Sequence, residues 1–291
     1  MAAVIPKKDH FVATSKAFRS ISEVEKTMSS FVGETTAEVI ANMFKDGGKI
    51  RPSLLRVLGV GTGNGRHDIR VLTIASSALG SSKIHATIVE PNVELMAGYR
   101  SLVSPLPQAL EGKVTFDWHE KTLAKFMESC HRIEQFDLIH FVASLYYMDA
   151  EQALRNCYER LASGGAIFCT VGPEEAFFPK LSRKLKGKIN LGSIHKFYTE
   201  VDLISISERN NWKYKQLHKT SYDADITSCF DHSSTKGGLI LDFLTHCQDF
   251  RGTADETFYK DVMTFLEEQS ITDDSGKKLI KPEITALVIY K

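Results

Sequence analysis

The stretch Val57-Leu-Gly-Val-Gly-Thr-Gly-Asn-Gly65 places glycines at 59, 61, 63 and 65, and Glu90 follows about 25 residues later. Glycine has no Cβ, so its backbone can approach a ligand more closely than any other residue. A carboxylate in step with such a loop accepts hydrogen bonds from both hydroxyls of a ribose. Gly61, Thr62, Gly63, Gly65 and Glu90 therefore read as the seat of a nucleoside cofactor. The plainer alternative is a turn shaped by packing, with Glu90 as a helix-capping acid, and the correct placement of both features in an α/β repeat disfavours it. The spacing is G-x-G-x-G, whereas dinucleotide sites carry G-x-G-x-x-G to seat a pyrophosphate on the helix end. His195, in Ser193-Ile-His195, has the chemistry of a proton acceptor near neutral pH. It reads also as a surface residue ahead of Phe197-Tyr198, and with ten histidines in the chain that reading has the edge.

These residues need a scaffold. Leu55 to Val60 is a short apolar strand before the glycine turn, and Asp68 to Leu79 is a helical pattern stopped by Gly80. The alternation repeats with strands at Ile84 to Glu90, Lys113 to Trp118, Phe136 to Val142 and Ala166 to Val171. The intervening helices are Asn92 to Leu102, Leu123 to Cys130 and Ala150 to Leu161, the last closed by Ser163-Gly164-Gly165. Strands separated by helices of about ten residues require a parallel sheet, because each crossover must return to the same edge. Phe177 to Leu185 is a basic amphipathic segment, Thr199 to Asn210 a helix, Trp212 to Lys219 an edge strand, and Leu239 to Phe250 and Thr257 to Gln269 two helices. Ile284 to Tyr290 is a closing strand, expected to insert antiparallel. Phe11 to Phe44 carries apolar residues at helical spacing, interrupted around Gly33, and predicts two or three helices.

The expected fold is thus α/β, a doubly wound, mostly parallel seven-stranded sheet with N-terminal helices and a C-terminal helical insertion before the last strand. Its expected divisions are an N-terminal helical lid at 1–50, a cofactor-binding α/β domain at 51–219, a helical substrate-side insertion at 220–280 and the closing strand at 281–291. Composition sets the outer bounds. The 291 residues are 43% hydrophobic and 25% charged, with 36 basic against 36 acidic side chains. Zero formal charge removes the footprint of a nucleic-acid or anionic-membrane binder. No apolar run approaches the ~20 residues of a membrane helix, and Met1 to Lys8 lacks the apolar stretch of a secretory signal, so a cytoplasmic monomer is expected. Cys130, Cys157, Cys169, Cys229 and Cys247 form no C-x-x-C pair and read as buried free thiols, with neither disulfide nor metal.

Beyond the glycine spacing, which resembles the first motif of class I S-adenosylmethionine-dependent methyltransferases, four segments narrow the likeness. They are Val89-Glu-Pro91, Trp118-His119 through Thr122, Phe136-Asp-Leu-Ile-His140 running into Leu145-Tyr-Tyr147, and Ile226-Thr-Ser-Cys-Phe230 leading to Asp242-Phe-Leu-Thr245. Over nearly its whole length the chain resembles the histamine N-methyltransferase family. The resemblance implies S-adenosylmethionine as cofactor, with Gly61, Glu90, Leu95, Val142 and the Thr122/Leu123 pair lining its site. It also implies an aromatic box of Tyr146, Tyr147, Phe178 and Phe243 around a small flat amine. Such a box is chemically sound, since aromatic faces hold planar or cationic groups and exclude water. For Phe243 a core role is an equal alternative; for the tyrosine pair, just past the fourth strand, the site is favoured.

Several positions depart from the family's pattern. The acid that class I methyltransferases usually carry two residues before the first glycine is Gly59 here. The family's substrate-gripping glutamate, glutamine and asparagine fall on Val24, Ala143 and Pro282, with Glu23, Glu25 and Glu283 as flanking acids that a one-residue shift would bring in. A cofactor-side glutamine corresponds to Leu95, a cysteine near the acceptor to His195 and a tryptophan to Ser182. The function implied is methyl transfer from S-adenosylmethionine to a nitrogen of a small amine or imidazole compound, histamine-like, carnosine or another biogenic amine. The rivals are a nicotinamide-dependent oxidoreductase and a non-catalytic S-adenosylmethionine-binding protein.

Overall fold

The computed structural model describes residues 8–45, 52–129, 134–189 and 196–291. Two helices open it, α1 (Lys8–Arg19) and α2 (Val24–Met43). The break between them falls at residues 20–23 rather than near Gly33, which lies in the middle of α2 and is buried. Gly33 is compatible with the helix because the Arg70 guanidinium lies over it: a Cβ at that position would come within 2.7 Å of Arg70 Nε.

The main sheet follows the expected alternation. Its strands are β1 (Leu54–Val60), β2 (Lys83–Val89), β3 (Val114–His119), β4 (Phe136–Phe141), β5 (Leu161–Val171), β6 (Lys213–Ser221) and β7 (Glu283–Tyr290), in the spatial order β3-β2-β1-β4-β5-β7-β6. The connecting helices are α3 (Arg66–Leu79), α4 (Val93–Leu102), α5 (Leu123–Ser129) and α6 (Ala150–Glu159), with α8 (Glu200–Arg209) before β6. β1 pairs in parallel with β2 and β4, and β4 with β5. β7 runs antiparallel along β5, pairing Thr285 with Val171 through to Tyr290 with Ala166. The fold is therefore the doubly wound, mostly parallel seven-stranded sheet read from the sequence. A reversed strand inserted beside β5 separates it from the dinucleotide fold, whose six strands run in the order 3-2-1-4-5-6.

Ser163-Gly164-Gly165 does not close α6, as expected, but lies inside β5. The helix already ends at Glu159, and the β4/β5 register shifts between Phe136 and Leu138, where Gly164 takes a positive φ of 73°. That irregularity is what the glycines serve. Leu239 to Phe250 is likewise not one helix. It divides into α9 (Thr235–Thr245) and a short α10 (Phe250–Thr253), because His246 turns into the left-handed region at φ 53°. Between β5 and α8 lies α7 (Phe177–Leu185), and α11 (Glu256–Gln269) precedes a small antiparallel sheet of Ala224–Asp225, Lys278–Ile280 and Ile271–Thr272.

The chain divides into two compact units. A sheet unit comprises Met28–Val171, Glu200–His218 and Thr285–Lys291; a helical unit comprises Met1–Thr27, Gly172–Thr199 and Lys219–Ile284. α1 thus belongs to the helical unit, while α2 from Met28 onward belongs with the sheet. The core of the sheet unit is apolar along β1, β2, β4 and β5, where Leu55, Leu58, Ile84, Ile88, Leu138, Ile139 and Phe168 are wholly buried. Parallel strands covered on both faces call for such continuous apolar runs. At the rim, Asp137 grips Arg56 bidentately, Oδ1 to Nη2 at 2.8 Å and Oδ2 to Nε at 3.0 Å, and also accepts the Arg56 backbone N–H. Cys157, Cys169, Cys229 and Cys247 are buried free thiols, while Cys130 lies outside the described residues.

Leu58 stands on the central strand and is wholly buried. Leu58→Ala should cost about 3 kcal/mol and lower the melting temperature by roughly 5–10 °C, whereas Thr115→Ala on the exposed face of edge strand β3 should stay within about 0.5 kcal/mol of the parent. Calorimetry of the two variants checks this ordering.

Candidate functional site

In a doubly wound sheet, ligands bind beyond the carboxyl ends of the strands where the winding reverses. Here that point lies between β1 and β4, and the residues following β1, β2 and β4 are Gly61, Glu90 and Val142. Gly61, Gly63 and Gly65 have φ of 64°, 57° and 79°, so each occupies backbone that side-chain-bearing residues rarely adopt. The loop is fastened on three sides. The Gly61 N–H donates to the Val89 carbonyl at 2.8 Å, and a Cβ on Gly61 would lie 2.6 Å from the Ser144 Cβ. Ser144 is buried and its hydroxyl donates to the Val60 carbonyl at 2.6 Å. The third fastening is Glu90.

Glu90 is 6% exposed, and each of its oxygens accepts a backbone N–H: Oε2 from Gly63 at 2.9 Å, Oε1 from Asn92 at 2.8 Å. Asn92 in turn caps α4, its side-chain oxygen accepting the N–H groups of Glu94 and Leu95. A carboxylate has about four acceptor positions, so two remain for further donors. Glu90 is thus both a loop-fastening residue and an available acceptor. Gly63 carries the complementary observation: a Cβ built there meets nothing within 4 Å, so the loop's outer face at this point is open. The free acceptor positions on Glu90 and the open backbone at Gly63 fit a ribose and its nucleoside.

The remaining expected cofactor residues fall into place unevenly. Val142 follows β4 directly and is half-buried, and Leu123 is buried at the start of α5. Thr122 is exposed ahead of α5, and Leu95 is exposed on α4. Thr62 is half-buried, with its hydroxyl oxygen buried and without a hydrogen-bond partner among the described residues.

After Val142, Ala143 holds a left-handed φ of 52°, a conformation that strains a residue other than glycine, and its N–H donates to Thr170 Oγ1 at 2.8 Å. A 3₁₀ turn then presents Tyr146 and Tyr147, their rings tilted at 52° with centroids 4.5 Å apart. Burial around its hydroxyl raises the Tyr147 pKa, partly opposed by a hydrogen bond from Tyr146, and the negative charge of Glu90 also raises it. Tyr147 is 45% exposed, and the tyrosine pair lies in the same unit as the glycine loop.

The helical unit builds a second aromatic cluster. Phe18 of α1 stacks on Phe243 of α9 at 4.5 Å and meets Phe178 of α7 edge-on at 5.9 Å. His246 adjoins it, 6.3 Å from Phe243 and 5.6 Å from Phe197. The four rings expected to form one box are thus described as two groups, Tyr146 with Tyr147 in the sheet unit and Phe178 with Phe243 in the helical unit. Asp242 explains the Asp-Phe-Leu-Thr motif. It is 5% exposed, accepts the N–H groups of Asp249 and Phe250 at 2.9 and 2.8 Å, and holds His10 Nε2 of α1 at 2.7 Å. Two cavities of about 270 and 340 Å³ lie in this unit, and neither is lined by the glycine loop.

Of the altered substrate positions, Val24 begins α2 and is half-buried, and Glu25 pairs with Arg19 at 3.4 Å. Glu23 is exposed and its N–H donates to the Asp223 carbonyl. Ser182 is half-buried on α7; Pro282 is buried, its carbonyl accepting the Tyr222 N–H; Glu283 is half-buried at the start of β7. His195, the proton-acceptor candidate, lies outside the described residues. Sequence reasoning missed His246. Burial lowers its pKa to about 4, so the imidazole is neutral at neutral pH. The only signal available was its place directly after the Asp-Phe-Leu-Thr motif. Among the described residues no cluster of metal-ligating side chains occurs, and no helix is long and apolar enough to cross a membrane.

No protein-family profile matches the chain. Histamine N-methyltransferase B of Xenopus laevis is 25% identical over 297 residues, covering 99% of this chain and 98% of that protein. Over nearly its whole length the chain is related to histamine N-methyltransferases. Carnosine N-methyltransferase 2 of Gallus gallus is 26% identical over 250 residues, 84% of this chain and 75% of that protein. A loganic acid methyltransferase solved with S-adenosylhomocysteine shares the fold, with a TM-score of 0.57, 8% identity and coverage of 99% of this chain and 98% of that one. The fold is that of the class I methyltransferases.

Two outcomes follow from this geometry. Gly63→Val should leave the protein folded but abolish binding of S-adenosylhomocysteine, and Glu90→Gln should weaken it ten- to a hundredfold while also lowering the melting temperature, because an amide N–H₂ would face a backbone donor. Calorimetric titration with thermal melts reads both. His246 gives a pH signature: its folded pKa lies below the unfolded value near 6.5, so the unfolded chain binds the extra proton and stability falls as pH drops from about 6.5 to about 4. His246→Gln should flatten that part of a melting temperature against pH curve.

Proposed function

We propose that the protein is an S-adenosylmethionine-dependent N-methyltransferase acting on a small flat amine or imidazole compound. The observation that carries this reading is the loop of Gly61 to Gly65, fastened by Val89, Glu90 and Ser144 with Gly63 open outward, in a chain related end to end to histamine N-methyltransferases. Bound there, S-adenosylmethionine supplies an electrophilic methyl group on a sulfonium. Glu90 accepts the ribose hydroxyls on its two remaining acceptor positions, and the backbone at Gly61 and Gly63 allows close approach. The Tyr146/Tyr147 pair, in the same unit as the glycine loop, offers ring faces to a flat acceptor.

A nitrogen attacks only as a free base, so the residues around the acceptor govern how much of it is uncharged. The family's acidic anchor corresponds to Val24, and the described imidazole beside the aromatic cluster, His246, is neutral. This chemistry supports an acceptor bound in its uncharged form, and the small side chain of Ala143 where the family's pattern has a glutamine supports one bulkier than histamine. The relationship to both a histamine and a carnosine methyltransferase is consistent with an imidazole acceptor.

Competition between histamine, carnosine and several aromatic amines at equal concentration, read as methylated product, tests the reading. The expected outcome is a Michaelis constant for histamine well above the micromolar range, since each missing contact costs about tenfold, and improved histamine turnover in Ala143→Gln. Preferential methylation of histamine at micromolar concentration would overturn the substrate assignment, and absence of any methylated product would overturn the enzyme reading.

A further inference from the structure

Position 59 of β1 lacks a side chain where the class carries an acid, but the space above it is filled. A Cβ on Gly59 would lie 2.6 Å from Asp68 Oδ1, 2.7 Å from Thr62 Cγ2 and 3.2 Å from His140 Cε1. Asp68 is in the first turn of α3, and its carboxylate reaches back over the strand. It is 2% exposed. His140, 1% exposed, stands beside Gly59 in the β1/β4 register, with Nε2 2.5 Å from Asp68 Oδ1. The Tyr99 hydroxyl of α4 donates to Asp68 Oδ2, and the Tyr99 ring fills the space that a Cβ on Gly65 would need.

A buried carboxylate is costly unless other groups hold it, and such clusters persist in folded proteins where they do work. Asp68, His140 and Tyr99 are buried, yet they crowd the backbone at Gly59 and Gly65, and the Thr62 methyl borders the same space over Gly59. Around the same point Asp68 Oδ1, both His140 ring nitrogens and Thr62 Oγ1 lack an aligned hydrogen-bond partner among the described residues.

We propose that Asp68 is a positioning residue for the cofactor loop, delivering from α3 the carboxylate that position 59 lacks, with His140 and Tyr99 fixing its orientation. Gly59 is then required as the residue that admits Asp68, and the two positions are coupled: one carboxylate serves, from either side. Filling the space over Gly59 that Thr62 also borders, the carboxylate holds the loop whose Gly61 and Gly63 take left-handed backbone at the height the nucleoside needs. This rests on the reading of that loop as the cofactor seat.

The test uses the full chain, S-adenosylhomocysteine as the calorimetric probe and thermal melts in parallel. Asp68→Asn should bind S-adenosylhomocysteine about tenfold more weakly at a temperature where it is folded. Gly59→Asp alone should melt well below the parent, because two carboxylates would compete for one space. Combining Gly59→Asp with Asp68→Ala should restore affinity to within about threefold of the parent. Parent-like affinity in Asp68→Asn, with only its melting temperature lowered, would reduce the cluster to a packing role and overturn the proposal. So would a double variant no better than the worse single one. If the parent chain itself fails to bind S-adenosylhomocysteine, the cofactor reading falls, a result distinct from a parent that binds and an Asp68→Asn that matches it.

Discussion

The sheet unit depends on one carboxylate accepting two backbone donors. Glu90 takes the N–H of Gly63 and the N–H of Asn92, while Asn92 passes the arrangement on by capping α4 through Glu94 and Leu95. The tip of β2, the loop after β1 and the start of α4 are thereby tied at a single buried side chain. Each of those N–H groups would otherwise be an unpaired donor near the sheet end, at a cost of about 1–3 kcal/mol. The ionised acceptor also strengthens both bonds relative to neutral ones. On the proposed reading the residue that holds the ribose is also the one that shapes the loop around it, so a change at Glu90 alters binding and local folding together.

The helical unit solves a similar problem in the same way. Asp242 gathers the N–H groups of Asp249 and Phe250 and the ring of His10, which brings the chain back after α9 and ties α1 to it. The return forces His246 into left-handed backbone, and Ala143 at the end of β4 is held likewise, its N–H fixed by Thr170. Two residues other than glycine in a conformation that costs about 1 kcal/mol or more each are retained only where the surroundings over-determine them. Each stands beside aromatic rings of its own unit: Ala143 just before Tyr146 and Tyr147, His246 beside Phe243.

The alternation of strands and helices was legible because apolar runs buried on both faces leave a plain mark on a sequence, as in Phe136 to Val142. The expected antiparallel insertion of the last strand is matched by its pairing along β5. What misled was glycine read as punctuation. Gly33 sits in a helix because Arg70 covers it, and Gly164 sits in a strand because β5 is irregular there, and both causes lie far away in the chain. The glycine loop and Glu90 could be named from spacing alone, since the residues are close in sequence and their roles follow from backbone chemistry. Asp68 and His246 could not. Asp68 acquires meaning only from standing over Gly59 beside His140 and Tyr99, and His246 only from burial that a sequence does not record.

The altered anchors and the neutral imidazole point in one direction when the chemistry of the attacking nitrogen is considered. A carboxylate beside an amine stabilises its protonated form and raises its pKa, which improves capture of the cation but withdraws the lone pair that must attack. An enzyme that binds its substrate through an acid must therefore release a proton before transfer, at a cost set by how tightly the ion pair holds. Val24, on the proposed reading, stands in place of that acid and the pair is absent, while His246, kept uncharged by burial, offers one donor and one acceptor with no charge. On the proposed reading, such a pocket exchanges affinity for the cation against a larger fraction of reactive base. That exchange favours acceptors whose nitrogen is largely uncharged at neutral pH, as in an imidazole ring, over aliphatic amines.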